Sequence, residues 1–464
     1  MAIILLILLL LVLVVLTIIT YRIHAVSDRH KDDDSTEVSE RVGLIQGWIY
    51  AALIFTIFAI IATIYFVVRG TPYEGHLMEW LNIVVRVMHI TFGIAWIGAS
   101  FYFVFLENAL NRTKVRDELA GDLWAVHGGG FYYLEKYKVA PKTIPKHLHW
   151  FKYEAYFTWI SGFGLLFIIY YFNASAILID PNVMKLSTAA AVAISIGSFI
   201  VAWVLYDLLC KSPLVKNPWL FGLTGVLAMV GFAYFYGHVF SGRAAFIHFG
   251  AMLGSIMVAN VFFVIIPSQK AMVNAARKGI PPDPMKGKNA LFRSLHNNYL
   301  TLPVLFVMVS NHFPSTFGNK YQWLVLALIS IGSAGIKHWL NLRERGRLSV
   351  WVLPASVILL LAVAYATAPQ LANTKCNQVS FLEINAILQQ RCVSCHSSRP
   401  TDDVYVVAPN GVKYDTPDEI VRKKELILQR VVHNKTMPQN NKTNMTLEER
   451  DLVRCWIEQG ASTK

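Results

Sequence analysis

Charge is scarce in this chain. Only 15% of its 464 residues are Asp, Glu, Lys or Arg, against roughly a quarter in an ordinary soluble domain. Hydrophobic residues make up 55%, and the mean hydropathy is +0.44. That balance excludes a soluble globule and points to a membrane protein in contact with a lipid bilayer. Acidic residues are scarcer still, 29 against 42 Lys and Arg, for a net charge of +13. In a membrane chain such an excess collects in cytoplasmic loops, so it does not imply a nucleic-acid partner. Cysteine is also sparse, five in all, too few for a disulfide scaffold. Cys210 ends an apolar run and reads as a packed thiol. The first apolar run, 3–19, has no Lys or Arg before it and no small-residue cleavage site after it. It is expected to be a retained helix, not a cleaved leader.

A spanning helix needs about 20 apolar residues. Runs of that kind fall at 3–19, 44–68, 83–106, 153–172, 186–209, 219–236, 244–266, 295–313, 321–339 and 349–368. The expected fold is therefore all-α: a polytopic transmembrane bundle of about ten spans. Residues 1–43 form an anchor helix and a polar loop around Asp32-Asp33-Asp34, and 44–370 form the bundle. Loops alternate in basicity. The 107–152 loop, with Arg112, Lys136 and Lys146 among its cations, and the 267–294 loop are rich in Lys and Arg; the loops at 69–82 and 173–185 are poor in them. By the positive-inside rule the rich set is cytoplasmic, which puts both termini outside. The Gly128-Gly129-Gly130 run reads as a flexible turn, because no Lys-Ser/Thr follows it.

The last part of the chain, 371–464, carries Cys392-Val393-Ser394-Cys395-His396. This is C-x-x-C-H, the attachment pattern of a c-type haem. The thiols of Cys392 and Cys395 bond to the haem covalently, His396 ligates the iron, and Met437 is the second axial ligand. Met445 is the alternative. Met437 is preferred because Met437-Pro438 looks like the ligand loop of class I cytochromes c. A zinc or redox reading needs more partners, and this part offers only Cys376, Cys455 and His433. In an oxidising compartment Cys376 and Cys455 could pair. A helix is expected over 381–391, with helix starts at Thr416 and Thr446, each followed three residues later by Glu. The topology places this small helical domain in the periplasm and the protein in a bacterial inner membrane.

Ionisable groups inside spans are costly and mark candidate sites. An outer set holds Arg86, His89, Arg243 and His248. They read either as ligands and propionate partners of a b-type haem or as substrate groups. An inner set holds His149, Lys152, Glu154 and His296, candidates for acid–base catalysis.

The stretches Arg86-Val87-Met88-His89-Ile90-Thr91-Phe92-Gly93, His149-Trp150-Phe151-Lys152-Tyr153-Glu154 and His296-Asn297-Asn298-Tyr299, followed by the Cys392–His396 motif, resemble the bacterial membrane-bound urate hydroxylases, which are urate oxidases with a cytochrome c domain. The resemblance covers nearly the whole chain. It implies oxidation of urate to 5-hydroxyisourate, with water as the oxygen source. Electrons leave through the c-type haem to a soluble cytochrome c or a terminal oxidase. Two other readings are a quinol-linked relay with b haems, and a transporter with an appended cytochrome c domain.

Overall fold

The structure is a computed structural model and describes residues 2–29, 36–71, 73–145, 148–368, 376–405 and 407–463. Asp32-Asp33-Asp34, Lys146 and the expected 370/371 boundary lie outside the described residues. The chain forms two units, Met1–Leu81 and Asn82–Lys464. In the first, α1 (Ala2–Arg29) lies against α2 (Thr36–Val68). The helix α3 (Tyr73–Ala109) starts there and runs on into the second unit.

Next comes a hairpin of β1 (Leu119–His127) and β2 (Gly130–Tyr137), which pair antiparallel. It is followed by α4 (Tyr153–Leu165), α5 (Thr188–Lys211), α6 (Pro218–Val239), α7 (Gly242–Ala259), α8 (Ile266–Arg277), α9 (Pro284–Ser310), the short α10 (Pro314–Phe317), α11 (Gln322–Glu344) and α12 (Val352–Ala366). Every apolar run of the sequence falls on a helix. The expectation of about ten spans is nevertheless reduced. Among the described residues, 5 helices are long and apolar enough to cross a membrane: Tyr73–Ala109, Thr188–Lys211, Pro218–Val239, Gly242–Arg277 and Gln322–Glu344. Length and charge account for three of the remaining runs. The apolar part of α12 has only 15 residues. A π-helical turn at Leu166–Tyr171 follows α4. Lys286, Lys288 and Arg293 interrupt α9, which also contains Pro303.

The hairpin corrects the flexible-turn reading of Gly128-Gly129-Gly130. Gly128 and Gly129 both have positive φ, +58° and +78°. Two such residues make the tight turn whose twist matches paired strands. Trp124 faces Tyr133 and Val126 faces Phe131 across the ladder. Glu107 at the end of α3 bonds both Arg112 and Lys136, which fastens the hairpin to the helix.

At the centre sits α7, buried along most of its length by Phe246, Phe249, Met252 and Leu253. It touches α5, α6 and α9. A helix apolar on all sides is stable only when surrounded. A π-helical turn, Asn260–Ile265, joins it to α8.

The C-terminal segment has a separate core of Ile384, Leu388, Val453 and Trp456. Its helices are α13 (Phe381–Arg391), α14 (Pro417–Arg422), α15 (Lys424–Ile427) and α16 (Leu447–Glu458), with a π-helical turn at Leu428–His433. Three capping boxes set the helix starts, Ser380 with Glu383, Thr416 with Glu419 and Thr446 with Glu449. Each pair satisfies two orphan backbone donors. Arg391 and Glu449 tie α13 to α16 at 2.8 Å, and a disulfide joins Cys376 to Cys455, whose Cα atoms are 5.3 Å apart.

One loop of this segment is pH-sensitive. Burial pushes the Asp402 carboxyl up, but the Lys442 ammonium and the backbone N–H groups of Val404 and Tyr405 pull it down further, below its usual value. A depressed carboxylate stabilises the fold above its unfolded pKa, about 3.9, and that contribution is lost as pH falls through the folded value. Thermal melts of the wild type should therefore weaken below about pH 4. Asp402→Asn should be less stable at neutral pH and show a flatter acid limb; an unchanged acid limb would remove Asp402 as its source.

Candidate functional site

One cavity of about 1780 Å³ opens between the helical bundle and the C-terminal segment. Its wall includes Arg86, His89, Tyr170 and Arg243 from the bundle, and Cys392, Cys395, His396, Tyr405, Arg430 and Met437 from the segment. Three of the four outer candidates thus meet the C-x-x-C-H motif in a single space. Single-ligand pockets run to about 1,000 Å³, so this cavity has room for more than one occupant.

The segment is seated on the bundle by a few directed bonds. Asn440 Nδ2 donates to the carbonyls of Ala176 and Ile179, both at 2.8 Å. Gln439 Nε2 donates to Ala176 O at 2.9 Å, and Gln439 Oε1 accepts from the Tyr405 hydroxyl at 2.6 Å. The Ala176 carbonyl belongs to a π-helical turn, Ala174–Leu178, and Val404 adds an apolar contact with the bundle core.

His89 is held by its Nδ1, which donates to Thr158 O at 2.9 Å. Nε2 is then the lone-pair nitrogen of the ring. Arg86 donates twice to Asn82 Oδ1, at 3.2 and 2.9 Å. Arg243 Nε donates to Asn311 Oδ1 at 3.1 Å. Arg243 is near enough to act on the charges of both Arg86 and Arg430. Burial, then the Arg243 charge, hold the Arg430 guanidinium below its ordinary pKa.

Within the C-terminal segment, His396 Nδ1 donates to Val412 O at 3.0 Å. Burial holds its imidazole below the usual value, so it is neutral with Nε2 available. That is the usual arrangement of a metal-ligating His. Burial pushes the Cys392 thiol up to about 12 and the Cys395 thiol up to about 11. Neither is a standing thiolate, unlike the activated thiols of redox C-x-x-C sites. Met437 lies on the cavity wall, and Met445 is buried in the segment's core. Arg450 secures the Met437 loop by donating to Val431 O at 2.5 Å and to Met437 O at 2.6 Å. These residues fit a covalently attached haem, which Cys392 and Cys395 would hold by their thiols and His396 and Met437 by its iron. Among the described residues, no group of three or more His, Cys, Asp or Glu side chains is placed to hold a free metal ion.

His248 and the inner set are placed differently from the sequence expectation. His248 is 0% exposed. Tyr170, Tyr171, Phe199, Tyr236 and Phe240 box its ring at centroid distances of 4.8–6.3 Å. It does not line the cavity, so it is not set opposite His89 across a shared ligand. None of His149, Lys152, Glu154 and His296 lines the cavity either. His296 belongs to a closed network, 2.8 Å from the Tyr206 hydroxyl and stacked on Phe221. Asn260 bonds Tyr206 and Asn297 in the same network, and Arg293 pairs with Asp207 at 2.6 Å. The Lys152 ammonium covers the Tyr153 ring, and His149 lies against Phe151. Glu154 keeps one buried oxygen without a partner.

Sequence reasoning missed Tyr170, Tyr405 and Arg430. Tyr170 and Arg430 sit in π-helical turns, whose wider pitch breaks the 3.6-residue pattern by which a helix face is read. Tyr405 sits in an irregular loop and carries no signal at all.

The fold and site define a helical, membrane-type protein whose cationic cavity is shared with a C-terminal C-x-x-C-H segment. The model of the urate oxidase N-terminal family matches residues 75–368, and the chain belongs to that family. No curated protein and no solved structure matches the chain.

Proposed function

We propose that this chain is a membrane-bound urate hydroxylase of the bacterial inner membrane. In this reading urate and water give 5-hydroxyisourate, two protons and two electrons. Residues 44–370 form the membrane bundle that holds the substrate, and 371–464 form a periplasmic class I cytochrome c-like domain. Cys392 and Cys395 carry the haem, with His396 and Met437 on its iron. When bound, a c-type haem supplies a one-electron acceptor, and a soluble cytochrome c or terminal oxidase takes the electrons onward.

The observation that carries this reading is the single cavity. In a chain of the urate oxidase family, the arginines that suit a purine anion and the C-x-x-C-H motif line one space. Arg243 and Arg86 bind the oxyanion edge of urate. His89 takes the proton from the attacking water through Nε2, while Thr158 O holds its Nδ1–H. The electron outlet in this reading is the c-type haem. The inner set lies off the cavity, with His296 bonded to Tyr206, Lys152 over the Tyr153 ring and His149 against Phe151.

The test is anaerobic titration of the oxidised protein with urate, read in the haem absorption bands. Two electrons per urate and one per haem predict complete reduction at about half an equivalent of urate. Bands that stay oxidised with urate but respond to dithionite would reject the reading and favour a relay or a transporter.

A further inference from the structure

Four arginines line the cavity from two parts of the chain; Arg391 pairs with Glu449, and among the described residues the other three, Arg86, Arg243 and Arg430, have no acidic partner. Among the described residues, Arg86 bonds Asn82 and Arg243 bonds Asn311. Among the described residues, the Arg430 side chain has no hydrogen-bond or ion-pair partner, and its nearest charged influence is Arg243. The two carboxylates on the wall are engaged elsewhere: Asp180 accepts from Asn182, and Asp403 pairs with Lys442. Converging like charges repel, and they are retained where an anion binds between them.

A second observation, independent of charge, points to the same place. Among the described residues, three buried polar atoms on the cavity wall make no well-formed hydrogen bond: Gln322 Oε1, Thr436 Oγ1 and the Tyr170 hydroxyl, which sits beside Arg243 and Asn311. Tyr170 is 3% exposed. Orphaned buried polar groups are rare in native proteins, and a bound ligand or water satisfies them. Tyr170 and Gln322 come from the bundle and Thr436 from the C-terminal segment, so a ligand that bonds all three touches both.

We infer that the substrate anion is clamped across the junction, by Arg86, Arg243 and Tyr170 from the bundle and by Arg430 from the C-terminal segment. The ligand class is a planar oxyanion, and the inference rests on the urate reading above. Its consequence is that the bundle alone has an incomplete site. The C-terminal segment is then both electron outlet and part of the specificity pocket, and substrate lies next to the outlet with no intermediate carrier. The cavity volume accommodates this, because it exceeds that of a single ligand pocket.

The same arginines would also suit the carboxylates of a bound haem, and the experiment separates the two sources. Full-length Arg430→Gln and Arg430→Lys are prepared with haem attached. Steady-state urate kinetics are measured beside the haem absorption spectrum and midpoint potential. The inference expects KM for urate to rise about tenfold or more in Arg430→Gln, the scale of one lost charge-assisted bond. Arg430→Lys should fall between that variant and the wild type, and the spectrum and potential should not move. Tyr170→Phe, which touches the substrate from the other side, should also raise KM. Unchanged KM in Arg430→Gln overturns the inference. So does a shifted potential with KM unchanged, which would assign Arg430 to the haem carboxylates. Both results presuppose a wild type that urate reduces; a wild type that urate does not reduce overturns the urate reading itself.

Discussion

Arg243→Gln should lower kcat/KM for urate by about 10-fold to 150-fold, the equivalent of about 1.5–3 kcal/mol for one hydrogen bond to a charged group. It should do so without lowering thermal stability. Arg243 stands between Arg86 and Arg430 and acts on the charge of both. Removing it relieves like-charge repulsion in the substrate-free protein. Glutamine keeps an amide that can still donate to Asn311, the present partner of Arg243 Nε. A structural arginine behaves in the opposite way, since losing its bonds lowers Tm and leaves turnover per folded molecule intact. Steady-state assays with an artificial one-electron acceptor, run beside thermal melts, separate the two. A Tm drop of several degrees with normal kcat/KM would remove Arg243 from the site.

The same comparison shows what a sequence can reveal about this molecule. Apolar runs locate helices because lipid and core both demand them, so each run lies on a helix. Capping chemistry is local, and the starts at Pro417 and Leu447 follow from Thr416 with Glu419 and Thr446 with Glu449. Span count is less legible. It depends on how far a helix continues past its apolar run, and on interruptions such as the π-helical turn after α4 and Pro303 in α9.

The site was legible in part for a related reason. Arg86, His89 and Arg243 stand out because ions are costly in apolar segments. His248 looks like His89 in sequence, each followed closely by a glycine, yet one faces the cavity and the other a closed aromatic box. That difference is made by Tyr170, Tyr171, Phe199, Tyr236 and Phe240, which come from three separate stretches of the chain. No local pattern encodes it. His296 looked catalytic because it opens an apolar run, and the structure shows it absorbed by Tyr206 and Phe221.

Gly162→Ala should lower kcat by about 100-fold or more, the contribution of a positioned general base, with a small effect on KM. An alanine Cβ at position 162 would lie 2.8 Å from His89 Cε1 and 3.2 Å from Nδ1. Real side chains do not approach so closely, so the ring must move off its bond to Thr158 O. Helix propensity works the other way. Alanine in place of a glycine inside α4 favours the helix by roughly 0.8–1 kcal/mol, so Tm should hold or rise while turnover falls. His89→Gln removes the base directly and should reach a similar kcat. The double variant then supplies the decisive comparison. If Gly162 acts only through His89, adding Gly162→Ala to His89→Gln costs nothing further, because the two changes remove one interaction. Additive losses would mean that Gly162 lines the substrate itself. Wild-type turnover in Gly162→Ala would mean that the position of the His89 ring does not limit the reaction, and the base would have to be sought elsewhere on the cavity wall.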